Sequence, residues 1–300
     1  MKNKIVLVAL LVAASTIVFW PQGKTESQTT DVTLVGAGNV ADGYDLNLSG
    51  AMATAALLDA IPGTVFVLGD YAYDNSRDQE FERAFDPAWG RFRSRMIPVV
   101  GNHEYYTFDA GSYFNYFGPA AGDPTKGYYS LDLGAWHIIV LNSECDRISG
   151  GCAVGSPEEV WLKNDLAAHT QPCTLAMWHE PYYTSSSTVS PATYMQPIWQ
   201  DLYDANADLI LNAHAHNYER FAPQDPNGNL DAGRGIIEIV SGTGGISHFA
   251  FNATPAANSL VRNNTAFGVV KLTLHSTSFD WQFVPIAGQT FTDSGTQTCH

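Results

Sequence analysis

The segment that decides the fold reads T-V-F-V-L-G-D-Y-A-Y-D and spans residues 64–74. Its β-branched and apolar residues predict a buried strand, which ends at Gly69-Asp70 because glycine allows the chain to turn there. Four other apolar runs also end in side chains that can bind a metal: Asn39, Asn102 with His103, His179, and His214 with His216. Since open α/β sheets bind ligands at the carboxyl ends of their strands, these five strand ends predict one site centred on Asp70.

Strands and helices alternate around this segment. Strands are predicted at residues 31–37, 64–68 and 96–100, with helices between them at residues 48–60 and 78–89. This order is typical of a layered α/β domain. The later predicted elements are a hairpin at residues 127–142 turning at Gly134, helices at residues 157–169 and 194–205, and strands at residues 173–178, 209–212, 235–240, 267–274 and 278–285. The last three strands suggest a second sheet.

Residues 105–119 are rich in aromatic residues and glycine, reading Y-Y-T-F-D-A-G-S-Y-F-N-Y-F-G-P. This composition predicts a loop. Two interpretations stay open, a packed surface loop and one wall of a substrate pocket, since loops beside strand ends often carry function. His137 lies inside a predicted strand and is therefore expected to be structural.

The N-terminal residues predict export. Lys2 and Lys4 precede an apolar run at residues 5–20, which falls short of the roughly 20 residues that span a bilayer. We predict a signal peptide or N-terminal anchor at residues 1–22, a disordered linker at 23–30 and one domain at 31–300. The expected location is secreted or periplasmic, with membrane attachment if the N-terminal segment stays uncleaved.

Four cysteines, an even number, suit an oxidising compartment. Cys145 and Cys152 could close a local loop, and Cys173 and Cys299 would then tie the C-terminal residues to a core strand. Two other pairings stay open.

The formal net charge of −15 at pH 7 argues against nucleic acid or an anionic membrane surface as the main partner. A small anionic substrate is still allowed, because bound cations would supply the positive charge that the chain lacks. The oligomeric state is left open.

The side chains at the strand ends indicate which metals would bind. A set of Asp, Asn and His suits zinc, manganese or iron better than calcium, because imidazole is a poor calcium ligand. The donors suffice for two ions, which Asp70 could bridge at a separation of about 3.5–4 Å. His214 and His216 are two residues apart, so both side chains leave an extended chain on one face.

Four motifs, taken in order, resemble those of a known family. They are Gly69-Asp70-x-x-Tyr73, Gly101-Asn102-His103-Glu104, Trp178-His179 and Ala213-His214-x-His216-x-Tyr218-Glu219-Arg220. The set resembles the calcineurin-like metallophosphoesterases, specifically the purple acid phosphatase branch, over nearly all of the chain from residue 31 onward. The resemblance implies an α/β fold with four α-β-β-α layers, in which two mixed β-sheets pack face to face with helices outside.

The resemblance also implies a role for each site residue. Asp70 would bridge two ions, with Asn39, Tyr73 and His216 on the first ion and Asn102, His179 and His214 on the second. His103 would contact a phosphoryl oxygen or protonate the leaving alcohol, and His179 would lie beside the substrate. The implied enzyme is an exported binuclear phosphatase in which a metal-bound hydroxide attacks small phosphate monoesters.

Two residues depart from the family pattern. Asn39 stands where the family has an aspartate, and Ala213 stands where it has a glycine. A neutral Asn39 predicts weaker binding of the first ion and disfavours trivalent iron, while Asp42 is expected to point away. One alternative is therefore a degenerate member that binds metal or phosphate without turnover. Another is a phosphodiesterase or nucleotide hydrolase. Glu104 and Arg220 could line the pocket or form a structural ion pair.

Overall fold

A computed structural model describes residues 31–44 and 46–300 of the chain. The predictions of a signal peptide or anchor and of a disordered linker concern residues 1–30 and lie outside the described residues. Within the described residues, no helix combines the length and the apolar character that crossing a bilayer requires.

The strands are β1 (Val32–Ala37), β2 (Ala41–Asp42), β3 (Thr64–Leu68), β4 (Ala72–Tyr73), β5 (Met96–Val99), β6 (Tyr129–Leu133), β7 (Trp136–Val140), β8 (Cys173–Met177), β9 (Leu209–Asn212), β10 (Tyr218–Phe221), β11 (Ile237–Ser241), β12 (Ser259–Asn263), β13 (Gly268–Leu274), β14 (Ser278–Pro285) and β15 (Ser294–Thr298). The α-helices are α1 (Ser49–Ala60), α2 (Asp78–Glu80), α3 (Asp86–Ala88), α4 (Gly111–Phe117), α5 (Pro157–Ala168) and α6 (Gln196–Asp204). A π-helical turn, Phe81–Phe85, joins α2 to α3, so the helix predicted at residues 78–89 forms in three pieces.

Two large mixed sheets form the body of the protein. The first has six strands in the order β15-β14-β13-β1-β3-β5, of which β1, β3 and β5 are parallel. The second has seven strands in the order β12-β10-β11-β9-β8-β7-β6, with β7, β8, β9 and β11 parallel. Parallel strands of both sheets therefore place their carboxyl ends at a shared edge of the fold.

The core lies between the two sheets. Alternate residues of β3 point to opposite faces, so Phe66 packs against the second sheet while Val65 and Val67 face the outer helices. Helix α1 covers the outside of the first sheet, and α5 with α6 covers the outside of the second. The layers are therefore α-β-β-α, and the predicted fold class is confirmed.

The prediction that the three late strands build the second sheet is wrong for two of them. Strands β13 and β14 return to the first sheet, where β13 pairs antiparallel with β1 through the register Val32↔Leu274. Of the three late strands, β11 alone joins the second sheet, which begins with the β6–β7 hairpin. An apolar run predicts that a strand forms, but the choice of its distant partner depends on long-range packing.

The prediction of a loop across residues 105–119 is also wrong for its second half. Helix α4 forms there, and it buries Tyr113, Phe114 and Phe117, whose spacing of one and three residues places them on one side of the helix. The first half, residues 104–110, forms two short 3₁₀ turns at the surface. Burial of the aromatic side chains outweighs the low helix propensity of this segment.

The cysteines form two disulfides. Cys145 pairs with Cys152 at a Cα–Cα distance of 5.3 Å, and Cys173 pairs with Cys299 at 5.4 Å. Of the three pairings that the sequence allows, the structure contains the one that joins neighbours in sequence and ties the C-terminal residues to β8.

Candidate metal centre

The predicted strand-end residues come together at the shared edge of the two sheets. Asn39 and Asp70 follow β1 and β3, and Asn102 with His103 follows β5, all in the first sheet. His179 follows β8, and His214 with His216 follows β9, in the second sheet. We call the seven proposed ligands the strand-end cluster: Asn39, Asp70, Tyr73, Asn102, His179, His214 and His216.

Three of these residues have left-handed backbone conformations. The φ angles are +59° at Asn39, +58° at Asp70 and +56° at His214. Such conformations cost on the order of 1–3 kcal/mol each for a residue with a Cβ atom, and they concentrate at functional sites. Asn, Asp and His tolerate this region better than other residues do. The chain therefore turns sharply at each of these strand ends and directs a polar side chain into the centre.

Asp70 lies at the middle of the cluster and is almost fully buried. Its Oδ2 accepts a hydrogen bond from the Tyr73 hydroxyl at 2.6 Å and lies 3.3 Å from His179 Nε2. Its Oδ1 accepts the backbone N–H of His103 at 3.1 Å. Burial alone would raise the pKa of this carboxyl, but the charge and hydrogen bond of His179 lower it, so Asp70 is a carboxylate. Its Oδ2 therefore faces other members of the cluster, while its Oδ1 is held by the backbone of His103.

Three donor atoms, from His179, Asn102 and His214, converge on one side of Asp70. His179 Nε2 lies 3.0 Å from Asn102 Oδ1 and 3.2 Å from His214 Nδ1. One ligand atom each from Asp70, His179 and His214 lies within 4.8 Å of the others. The other nitrogen of His179, Nδ1, donates to the Leu68 carbonyl at 2.6 Å, so Nε2 is the atom left for the centre.

The two histidines of this group carry different charges in the absence of an ion. Burial would lower the pKa of His179, but the Asp70 carboxylate outweighs burial and raises it to about 10. Burial, followed by the positive charge of His179, lowers the pKa of His214 to about 3. A proton on His179 is therefore the only positive charge shared by these facing atoms. A metal cation placed among them would replace that proton.

A second group of donors lies on the other side of Asp70. Asn39 Nδ2 lies 2.5 Å from the Tyr73 hydroxyl and 3.1 Å from Asp70 Oδ2, while Asn39 Oδ1 is buried without a hydrogen-bond partner. His216 Nε2 lies 3.1 Å from the same hydroxyl, and its Nδ1 donates to the Ser247 carbonyl at 2.8 Å. Burial lowers the pKa of His216 to about 4, which keeps its Nε2 lone pair available.

The residues of the strand-end cluster fit metal ions. Backbone carbonyls of Leu68 and Ser247 fix the tautomers of His179 and His216, the usual support for a metal-bound imidazole. The orphaned Asn39 Oδ1 is a buried oxygen that a cation would satisfy, after a half-turn of the amide that brings it toward Asp70 and Tyr73. The assignment of individual ligands to two ions stays a prediction.

Glu104 supports the centre and was missed as a positioning residue by the sequence analysis. Its buried carboxylate accepts hydrogen bonds from the backbone N–H groups of Asp70, Tyr71 and Gly101 at 2.8–3.0 Å, and from Ser76 Oγ at 2.6 Å. Its position directly after Asn102-His103 was the available signal. It forms no ion pair with Arg220, which instead binds Asp293 through two hydrogen bonds of 2.6 and 3.1 Å.

Two glycines let the turns approach each other. Gly69 has a φ of +85°, and a Cβ atom there would lie 2.5 Å from His179 Nδ1. A Cβ atom at Gly101 would lie 2.6 Å from Asp70 Oδ1. Contacts below 3.0 Å are not tolerated, so the glycines that precede Asp70 and Asn102 are required by close packing.

The two departures from the family pattern have different consequences. Ala213 is outside the left-handed region, which falls on His214 instead, and its N–H donates to the His179 carbonyl at 2.9 Å. An alanine therefore causes no backbone strain at this position. Asn39 supplies an amide where a second carboxylate would add negative charge, and Asp42 Oδ1 accepts the N–H of Tyr44 at 2.9 Å.

His103 lies at the mouth of the site, where its side chain is 19% exposed. Its Nδ1 is hydrogen-bonded to the Asp74 carbonyl, and its Nε2 lies 3.9 Å from Asp70 Oδ2. Its ring packs between those of Tyr73 and Tyr106, at centroid distances of 4.2 and 4.8 Å. Since Nδ1 donates to the carbonyl, Nε2 is the atom that can meet a substrate.

Comparison with known proteins identifies the family. The profile of the family described as Calcineurin-like phosphoesterase matches residues 49–218. Purple acid phosphatase 15 of Arabidopsis thaliana is 28% identical over 225 residues, covering 63% of this chain and 41% of the relative. Acid phosphatase type 7 of Mus musculus is 28% identical over 212 residues, covering 60% of this chain and 48% of the relative. The chain thus spans less than half the length of these two relatives.

A solved structure supports the same fold. The purple acid phosphatase PPD1 from yellow lupin (Lupinus luteus) seeds superposes with a TM-score of 0.76 at 19% identity, covering 90% of this chain and 54% of that chain. The recognition made from the four motifs is therefore confirmed, and the chain belongs to the calcineurin-like phosphoesterase family.

Proposed function

We propose that the protein is a metal-dependent phosphatase that holds two divalent ions in the strand-end cluster and hydrolyses small phosphate monoesters. The observation that carries the proposal is the convergence on Asp70 Oδ2 of two groups of donors, one from His179, Asn102 and His214 and one from Tyr73, Asn39 and His216. Similarity to purple acid phosphatases supports the reaction class. The ions would be zinc, manganese or iron, which accept such mixed nitrogen and oxygen donors.

The ions would supply a concentrated positive charge, which binds the phosphate ester, polarises its oxygens and activates water. Asp70 would hold the two ions together, because its Oδ2 faces both groups of donors. Glu104 fixes the backbone on each side of Asp70 and so keeps this carboxylate aimed at the centre. Gly69 allows His179 to lie directly against the same turn.

His103 has the geometry to handle the proton of the leaving alcohol. Its Nδ1 is fixed by the Asp74 carbonyl, and its Nε2 lies 3.9 Å from Asp70 Oδ2. Nε2 is therefore the ring atom that would donate a proton to the departing oxygen. His179 lies deeper and is fully buried, which suits a metal ligand, and its contact with the substrate stays a prediction.

We also propose that the protein works outside the cytoplasm. Its two disulfides, one of them closing a loop of more than one hundred residues, fit an oxidising compartment. The export signal predicted from the sequence supports the same location.

The rival is a degenerate family member that binds metal or phosphate without turnover. Asn39 motivates it, because an amide at this position lacks the negative charge that would hold the first ion. The retention of every other predicted ligand and of His103 favours an enzyme. A phosphodiesterase would be recognised by faster turnover of diesters than of monoesters.

The test is metal content by elemental analysis together with hydrolysis of p-nitrophenyl phosphate and its bis ester. Two ions per chain with preferred turnover of the monoester would support the proposal. The Asn39→Asp variant is the matched comparison, and we expect it to bind the first ion roughly 10-fold more tightly, since it adds one charge next to the ion. A native chain that binds at most one ion and turns over neither ester, while Asn39→Asp gains both, would establish the degenerate reading.

A further inference from the structure

A cavity of about 320 Å³ lies beside the candidate metal centre, and nothing in the proposed function uses it. It is lined by Tyr105, Tyr106, Thr107, Phe108, Asp109 and Arg147. It adjoins the mouth of the site, because the ring of its lining residue Tyr106 lies 4.8 Å from that of His103. A ligand in the cavity would therefore be an extension of whatever occupies the mouth of the site.

The aromatic residues of this region divide into two classes. Tyr113, Phe114 and Phe117 of α4 are buried and stabilise the core. Phe108, in contrast, is 90% exposed, and Tyr106 is 54% exposed. Two large aromatic side chains held in solvent on the rim of one cavity form an apolar surface that an aromatic ligand would cover.

The backbone that carries these rings is held by the rest of the fold. Thr107 Oγ1 donates to the Glu104 carbonyl at 2.8 Å, and the Tyr105 hydroxyl accepts from Asn142 Nδ2 at 2.8 Å. Asp109 and Ala110 have φ angles of +48° and +51°, a conformation that costs free energy and re-aims the chain between the exposed and the buried rings. The backbone that carries the exposed rings is thus held in a set position, which limits the entropy lost on ligand binding.

A line of rings connects the cavity to the proposed ligands. The Tyr73 ring lies 4.2 Å from the His103 ring, which in turn lies 4.8 Å from the Tyr106 ring, both as centroid distances. A phosphoryl group near His103 Nε2 would consequently direct its ester group past His103 toward Tyr106. The organic part of the ester would enter the cavity.

Arg147 provides the other wall. It lies on the loop that the Cys145–Cys152 disulfide closes, and its N–H donates to the Glu144 carbonyl at 2.8 Å. Its guanidinium lies 3.4 Å from Asp146, and about half of the side chain is exposed. A planar guanidinium stacks on aromatic faces, so Arg147 can cover the side of a ring that Phe108 leaves open.

We propose that this cavity is an aromatic subsite, which binds an aryl ring in the alcohol part of the phosphate ester. The inference rests on the proposed function for the position of the phosphoryl group, and it narrows the substrate class to aryl-bearing monoesters. Phe108 is the specificity-determining residue, because it combines the greatest exposure with a place on the cavity wall.

The test compares benzyl phosphate with cyclohexylmethyl phosphate, which differ in ring aromaticity but have similar size and similar alkoxide leaving groups. We expect the native protein to show a higher kcat/KM for the benzyl ester. Phe108→Ala should reduce that selectivity ratio roughly 2- to 10-fold, the range expected for one aromatic contact. Phe108→Tyr should retain the ratio. Leu230→Ala, which truncates an apolar side chain that is 64% exposed and outside the cavity lining, should leave it unchanged.

Equal kcat/KM values for the two esters in the native protein, or an unchanged ratio in Phe108→Ala, would overturn the subsite. Failure of the proposed function is recognised separately, by the absence of turnover of either ester. In that event the two corresponding phosphonates are used in calorimetric binding. Tighter binding of benzylphosphonate that Phe108→Ala abolishes would support the subsite in a non-catalytic protein, and equal affinities would overturn it.

Discussion

Two of the clusters of histidines and carboxylates among the described residues differ in how their nitrogen atoms are used. In the strand-end cluster, His179 Nε2 faces His214 Nδ1 at 3.2 Å, and Asn39 Oδ1 has no partner. The other cluster joins the β6–β7 hairpin to α5 and consists of Asp132, His137, Asp165 and His169; we call it the hairpin cluster. There, both nitrogens of His137 face carboxylates, Asp132 at 2.9 Å and Asp165 at 2.7 Å.

The strand-end cluster therefore fits a cation, whereas in the hairpin cluster the nitrogens of His137 already have carboxylate partners. His137 is an imidazolium that donates from both nitrogens, since a neutral ring could serve only one carboxylate. Its ring stacks on that of His169 with centroids 3.8 Å apart and planes 17° apart, so the nitrogens of the two rings lie in nearly parallel planes. Ligand atoms of Asp132, His137 and His169 also lie within 4.8 Å of one another, yet their geometry does not aim them at a common point. Proximity alone therefore does not indicate a metal.

The largest expected effect comes from Asp70→Asn, which removes the negative charge at the centre of the strand-end cluster. Without that charge, the strand-end cluster would no longer fit a cation better than the hairpin cluster does. We expect monoester hydrolysis to fall by roughly 10³-fold, because several kcal/mol of charge stabilisation depend on ions that this carboxylate holds. Bound metal should fall to below one ion per chain by elemental analysis. Retention of two ions by Asp70→Asn would contradict the assignment and would point to the hairpin cluster as a binding site.

A smaller effect is expected from Glu104→Gln, which tests whether the support of the centre matters as much as its ligands. The backbone N–H groups of Asp70 and Gly101 now donate to the carboxylate of Glu104. The NH₂ group of a glutamine would place a second donor against such an N–H group, so a hydrogen bond would be lost. We expect metal affinity, measured by competition with a chelator, to fall roughly 10- to 100-fold, the usual cost of losing an outer partner. Glu82→Gln, which alters an exposed glutamate, is the matched control and should leave affinity unchanged.

The smallest effect on catalysis, below about 2-fold, is expected from His137→Gln. This variant tests whether the hairpin cluster contributes to stability and not to catalysis. Burial would lower the pKa of His137, but the hydrogen bonds to Asp165 and Asp132 outweigh burial and raise it. At pH 6 the variant should therefore lose about 1.5–3 kcal/mol of unfolding free energy, the range for hydrogen bonds to charged groups. Urea titration provides the measurement.

The pH dependence of that loss has a defined sign. A raised pKa in the folded state gives a stabilisation that is complete below the unfolded pKa of about 6.5 and disappears as pH rises through the folded pKa. Asp165, whose pKa burial would raise but His137 lowers, adds a stabilisation that disappears as pH falls through its folded pKa. The difference between native protein and His137→Gln should thus shrink between pH 6 and pH 9. A difference that is constant over this range would show that His137 is not charged.

The residues of the centre were predictable because each stands at the end of an apolar strand, a pattern visible without partners. Asn39, Asp70, His179 and His214 are found in this way, as is the layered fold. The return of β13 to pair with β1 was not predictable, since it joins residues more than two hundred positions apart. The role of Glu104 was not predictable either, because its carboxylate binds backbone N–H groups, which every residue except proline has. The helical half of residues 105–119 was hidden because its aromatic residues have low helix propensity and fold by burial.

The division of the strand-end cluster between two sheets has a consequence for the order of assembly during synthesis. The first three donor-bearing strands, β1, β3 and β5, are made early, but the sheet that holds them is completed only by β13, β14 and β15 at the end of the chain. The histidines of the second sheet are made in between. The last proposed ligand, His216, is therefore made before the strands that complete the first sheet, and the centre lacks its full support until β13, β14 and β15 have formed.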